Sequence, residues 1–271
     1  MSFIEITKPR PHVSLITLDR PERMNAMSFD VMVPFREAME AVGRDNDTRV
    51  CVITGTNRGA TPAFCSGADL EDSGSPPNVG GLGLSGIAVR AMEYLSDLVL
   101  AMRAMPQPVI AAVNGAAVGG GMCLTLGADI RYAARSAYFR AAGINNGLTA
   151  TELGVSFLLP RAIGSSRAFE ILLSGRDVHS DEAERIGLVS RTVPDDELLP
   201  SCYELAERII GYSQIGVELT KKVLWSGLET NSLEAAIHHE SRTQLHVRLT
   251  TKNFEEAIRA RKEKRKPVYK D

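Results

Sequence analysis

Short apolar runs that stop on glycine, set between stretches of helical periodicity, constrain this chain more than any other feature. VCVITGT (50–56) and PVIAAVNG (108–115) are rich in β-branched residues, too short for buried helices, and reach glycine at Gly55 and Gly115. That is the pattern of strands buried on both faces. Between them the spacing predicts a helix from about Ile87 to Met105, and DIRYAA (129–134) and GLVSRTV (187–193) predict two further strands. Strands alternating with helices through glycine turns predict an α/β fold of stacked or parallel β/α units.

Upstream, FIEITK and HVSLITL alternate polar and apolar residues around Pro9–Pro11, as a strand pair would. Ser28 is a fitting N-cap for a helix whose apolar face holds Met32, Phe35, Met39 and Val42. Beyond Pro194 no strand pattern remains, and helical periodicity fills 195–212, 214–228, 231–248 and 251–264. The chain therefore divides into an α/β core over 1–194 and a helical subdomain over 195–271.

Several function classes drop out on charge and composition. At 271 residues the chain can bury one large core. A net charge of −2 and a sequence pI near 6.2 give no electrostatic case for nucleic acid. The last twenty residues are nevertheless basic, with eight Lys/Arg against four Asp/Glu. No apolar run reaches the ~18 residues that span a bilayer. Cys51, Cys65, Cys123 and Cys202 lie far apart without a CxxC pair, which predicts reduced thiols in a cytoplasmic protein. His238 and His239 lack a third ligand, so no metal is expected. Trp225, among Leu and Val residues, is expected in core or subunit packing. SGSPPNVGGLGLSG (73–86) contains a GxGxxG string, but Ser-Pro-Pro precedes it where a dinucleotide site needs a strand; a mobile loop is expected instead.

Two glycine turns follow β segments: AFCSGADL (63–70) after VCVITGT, and NGAAVGGGMCLTLGAD (114–129) after VIAAV. In each, backbone N–H groups can point outward and a ligand oxygen can approach closely, so the two turns can converge on one oxygen. Together with LDRPERMNAMS (18–28), the Asp-Ile-Arg at 129–131, GRDVHSDEAERIGLVSRTVP (175–194) and the closing KEKRKP, these segments resemble the enoyl-CoA hydratase/isomerase, or crotonase, family over nearly the whole chain. The resemblance implies a spiral of ββα units, a trimer or dimer of trimers, and a coenzyme A thioester substrate from fatty-acid or related metabolism, with no cofactor beyond the substrate's own coenzyme A. It makes the N–H groups of Ala68 and Gly120 the oxyanion-hole donors. Each is worth roughly 3 kcal/mol to an enolate transition state. It also places Ser66, Asp69 and Leu70 along the adenine nucleotide, with Arg23 and Met24 opposite, and brings C-terminal lysines towards the CoA phosphates.

The carboxylates of the family's hydratases are missing. Where one glutamate stands two residues after the glycine triplet this chain has Cys123, and the other falls at Gly143 in FRAAGINNG. Cys123 is expected to be a buried structural thiol rather than a nucleophile. Glu152, in GLTATELGVSFLLPRAIG, is the sole carboxylate between Asp129 and Glu170. The family's 3,2-enoyl-CoA isomerases carry their single catalytic Glu in this region; counting from one side reaches Glu152, and from the other Thr151. One carboxylate suffices for isomerisation, which favours that chemistry over efficient hydration. The alternatives are weak or true hydration, a silent CoA-thioester binder, hydrolysis or dehalogenation with Glu152 as nucleophile, and a Glu152 that merely favours a helix N-terminus.

Overall fold

The computed structural model describes residues 3–58 and 61–270. Strands β1 (Ile4–Arg10) and β2 (Val13–Leu18) form the expected antiparallel pair, and helix α1 (Phe29–Arg44) follows. Ser28 precedes α1, but its hydroxyl accepts from Arg20 (3.3 Å) instead of capping the helix. Each later turn of the chain contributes one strand to each of two sheets. β3 (Val50–Gly55), β5 (Val109–Val113), β7 (Ile130–Ala134) and β10 (Arg191–Val193) extend the first sheet in parallel, in the order β1-β2-β3-β5-β7-β10. β4 (Ala63–Cys65), β6 (Ala116–Val118), β8 (Tyr138–Arg140) and β9 (Val178–His179) make the second, in the order β4-β6-β8-β9. The repeat is thus two strands and then a helix. α2 (Leu84–Ala104) follows β4 and α3 (Gly120–Gly127) follows β6; α4 (Val155–Ile163) and α5 (Ser165–Ser174) follow β8; α6 (Ser180–Ile186) joins β9 to β10. This is the spiral of ββα units expected above.

β3 and β5 are buried along their whole length, which is why their sequences carry no polar alternation. Two expectations are corrected, and three short strands were not expected. α2 begins at Leu84, three residues early, taking in the end of the stretch read as a loop; this first turn is solvent-exposed and no apolar periodicity marks it. GLVSRTV is a strand only over its last three residues, because Gly187 at φ +83 ends α6 in a left-handed turn. β6 and β8 span three residues each and β9 two, too short for any period-2 pattern.

Past Pro194 the chain is helical, as α7 (Leu198–Ile210), α8 (Gln214–Glu229), α9 (Leu233–Thr250) and α10 (Asn253–Lys262). α7 packs on β3, β5 and β7, burying Leu198, Cys202, Tyr203 and Ala206 in the core. By contrast α8 buries Lys221 alone and α9 buries nothing. Among the described residues no helix is long and apolar enough to cross a membrane, and the four cysteines are free.

Candidate active site

The first glycine turn leaves β4 at Cys65. Gly67 has φ +91, and a Cβ there would sit 2.8 Å from the carbonyl oxygen of Val118, so side chains are excluded both sterically and conformationally. The next residue, Ala68, forms a one-residue parallel bridge with Met27: Met27 N–H donates to Gly67 O (2.7 Å) and Asp69 N–H to Met27 O (2.9 Å). That pattern turns the N–H of Ala68 away from Met27, and among the described residues it meets no acceptor.

The second turn leaves β6 at Val118. Gly119, at φ +53 and ψ −123, donates its N–H to Arg140 O (2.8 Å). Gly120 then opens α3, where the first N–H groups of a helix have no intrahelical acceptor. Its N–H, like that of Ala68, has no partner among the described residues. A Cβ on Gly119 would lie 3.9 Å from Gly67 Cα and 3.4 Å from Oε1 of Glu152. Both turns and the Glu152 carboxylate therefore meet at one place, beside the N-terminus of α3.

Glu152 stands two residues before Gly154, the N-cap of α4. Its carboxylate accepts no helix N–H, so it is not the end-of-helix acid that its sequence context allowed. Among the described residues it forms no ion pair, and burial alone pushes its pKa above the ordinary glutamate value. Thr151 beside it is exposed. Leu153 and Gly154, at φ +48 and +85, are consecutive left-handed residues. The buried Leu153 side chain reaches Gly120, its Cδ1 3.3 Å from where a Cβ would be. Met27 covers the same glycine so closely that a Cβ would overlap its methyl. Sequence reasoning missed Met27 and Leu153; a non-glycine left-handed residue leaves no compositional mark.

Cys123 is 2% exposed and its thiol donates to the backbone oxygen of Glu152 (3.6 Å). Burial, reinforced by the charge of Glu152, pushes the thiol well above its usual range, so it remains protonated and is not a nucleophile. At Gly143 a Cβ would overlap the carbonyl oxygen of Thr149, because Leu148 N–H folds back onto Gly143 O (2.9 Å). The backbone therefore refuses a glutamate at the second hydratase position.

The residues expected around a nucleotide also come together. Ser66 N–H donates to Met24 O (3.1 Å) and its hydroxyl to Arg23 O (3.3 Å); Met24 is 43% and Leu70 81% exposed at that edge. Asp69 differs from its neighbours in facing inward. Its buried carboxylate accepts from the N–H groups of Asp72 and Glu71 (3.0 Å each), from Arg20 (2.8 Å) and from Arg23 (3.3 Å), which together hold it below the usual carboxylate range. Asp69 thus fixes the turn rather than lining an open surface. Asn25 does the same for β4, donating to Ala63 O (2.8 Å) while accepting from Arg20 N–H (2.9 Å). Among the described residues no His, Cys, Asp and Glu cluster has the arrangement of a metal site.

Known proteins resemble this chain in sequence and in architecture. The family model for enoyl-CoA hydratase/isomerase matches residues 10–271. A Mycobacterium tuberculosis protein named probable enoyl-CoA hydratase EchA12 is 59% identical over 271 residues, covering 100% of this chain and 94% of the relative. The 1,2-epoxyphenylacetyl-CoA isomerase of Escherichia coli is 34% identical, covering 99% of this chain and 98% of its own. Among solved structures, a probable enoyl-CoA hydratase/isomerase from Mycobacterium abscessus superposes with a TM-score of 0.93 at 58% identity, covering 99% of both chains. A monofunctional enoyl CoA isomerase from M. smegmatis gives 0.74 at 54% identity, over 88% of this chain and 99% of its own. With its two-sheet spiral and paired glycine turns, the chain belongs to the enoyl-CoA hydratase/isomerase family.

Proposed function

We propose that this family member isomerises enoyl-CoA thioesters, using Glu152 as its single proton shuttle. The observation that carries the reading is the Glu152 carboxylate, unpaired among the described residues and raised in pKa, with Oε1 3.4 Å from the Cβ position of Gly119. The thioester oxygen accepts from Ala68 N–H and Gly120 N–H. Glu152 then removes a proton from C2 of a 3-enoyl-CoA, the two N–H groups stabilise the dienolate, and the protonated acid returns the proton at C4. Burial supports this shuttle by bringing the acid and base forms closer in energy at working pH. Hydration would also require a water to be oriented and deprotonated, and Cys123 and Gly143 provide no group for that. The M. smegmatis relative bears an isomerase name and the M. tuberculosis relative a hydratase name, so a direct comparison of the two reactions is decisive.

The same reading places the coenzyme A nucleotide along Ser66, Leu70, Arg23 and Met24, with Asp69 holding their turn. The acyl tail extends past Leu153 into the cavity of about 380 Å³ lined by Val99, Leu100, Phe157 and Leu158. It makes the protein a cytoplasmic enzyme of fatty-acid metabolism that needs no cofactor and self-associates, as a trimer or dimer of trimers, through the helices beyond residue 194. The test is to assay 3-enoyl-CoA isomerisation and crotonyl-CoA hydration side by side in the wild type and Glu152→Gln. Isomerisation falling at least about a hundredfold in the variant, with hydration weak in both, is the expected result. Strong hydration that survives Glu152→Gln would place the chemistry elsewhere, and isomerisation near background in both proteins would make this a thioester binder.

A further inference from the structure

Two features around Glu152 have no part in the proton shuttle as described. One is the thiol of Cys123, directed at the Glu152 carbonyl (3.6 Å) from the first turn of α3, the helix that also supplies Gly120. The other is the left-handed backbone of Leu153 at φ +48, unfavourable for a residue with a Cβ and persisting only where its surroundings over-determine it. Those surroundings are visible. The Leu153 side chain is buried against Gly120, and the Glu152 carbonyl is held from both sides, by Val155 N–H (2.9 Å) and by Cys123 S–H.

We infer that Cys123 is a positioning residue: by tying the Glu152 carbonyl to the helix that carries Gly120, it fixes the turn at Leu153 and keeps the carboxylate facing the oxyanion donors instead of water. The inference rests on the reading of Glu152 as the base. It deepens that reading by giving the residue at the missing hydratase glutamate a task of its own. A base that must serve two carbons of one bound substrate loses rate quickly when its aim loosens. The thiol is suited to the task because burial and the charge of Glu152 push it well above the usual thiol range, which keeps the S–H as a donor. The titratable groups that sense the Glu152 charge are the thiols of Cys65, on β4, and Cys123 itself; no Lys, Arg or His pairs with it among the described residues.

The experiment combines a titration that needs no turnover with kinetics. The full-length protein is labelled with ¹³C at the glutamate carboxyls, and the Glu152 resonance is assigned by its loss in Glu152→Gln. In wild type it should titrate above the ordinary glutamate range. Cys123→Ala should move it back towards that range, and Cys123→Ser, which keeps a donor, should leave it in place. On 3-enoyl-CoA, Cys123→Ala should lower kcat about tenfold with KM within about twofold, and Cys123→Ser should recover most of the loss. An unchanged titration in Cys123→Ala, or a Cys123→Ser as altered as Cys123→Ala, overturns the inference. If Glu152→Gln retains wild-type turnover, the base assignment falls on its own, and the titration still decides whether Cys123 orients the side chain.

Discussion

At Glu152 the fold holds a carboxylate in surroundings that disfavour its charge, and this links activity to stability with opposite signs. Burial raises the native pKa above the unfolded value of about 4.3, so as pH rises the unfolded chain loses this proton first. The native state then binds more protons than the unfolded one, and stability falls until pH passes the native pKa. Glu152→Gln should therefore raise Tm at pH 7 and lose that advantage at about pH 3, below the unfolded pKa, where both states are protonated, as scanning calorimetry at the two pH values will show. The activity has the reverse dependence, because the base form exists only above the raised pKa: kcat/KM for isomerisation should decline on acidification through a pKa higher than that of a free glutamate. Gly143 gives a second residue-level outcome. Restoring a glutamate there forces a Cβ into Thr149 O, so Gly143→Glu should lose stability by about 2 kcal/mol or more in urea unfolding and gain no crotonyl-CoA hydration. Gly143 is a case where the sequence could be read for a missing group but not for the backbone reason behind its absence.

Among the elements, the long buried strands, α1, α2 and the helices past residue 194 were legible because apolar residues and glycine stops write their periods directly, whereas the short helices α3 to α6 carry no such run. The strands that build the site were also less legible. β4 and β6 carry the two oxyanion turns in three residues each, and their pairing at Ala63–Ala116 depends on Gly115, whose backbone passes against Pro62 without room for a Cβ. Sequence patterns locate such glycines and do not show what they approach. The Asp-Ile-Arg motif behaves similarly. Arg131 donates to Ala128 O (3.0 Å) at the end of α3 and to Leu188 O (2.7 Å), while Asp129 accepts from Val109 N–H and Trp225 Nε1 (2.6 Å each) and pairs with Lys221 (2.9 Å). Trp225 thus docks α8 through its indole N–H as well as its ring. Lys221 is 5% exposed and also donates to Gln107 O (2.9 Å), the residue that leads into β5. Removing its charge leaves the partly buried Asp129 without this counter-ion, and breaking a fully buried pair from one side costs about 3–5 kcal/mol, an upper bound here. Lys221→Met should approach that loss, read as a lower urea midpoint at unchanged m, whereas replacing an exposed lysine such as Lys222 should not.

At the scale of the whole molecule, the body is closed and the C-terminal helices are not. Leu233, Ile237, Leu245 and Leu249 line one ridge of α9 at intervals of four, eight and four residues, with Ser241 at the open step, and are 77%, 48%, 55% and 74% exposed. Leu224 and Leu228 do the same on α8 at 65% and 48%. A cavity of about 1270 Å³ opens among Leu158, Val217, Leu224, Val247 and Phe254, where these helices stand against the body. An exposed apolar ridge of this length marks a surface that another protein covers. The self-association proposed for this family member supplies such a cover in its own second and third copies, and burying each leucine contributes roughly 1.5–3 kcal/mol. Because α9 buries no side chain within the chain, charges placed on its ridge leave the core intact. The double variant Leu245→Glu, Leu249→Glu should therefore sediment as a monomer with the wild-type far-UV spectrum, while the wild type sediments as a trimer or larger. A wild type that is monomeric at micromolar concentration would remove self-association as the reason for the ridge.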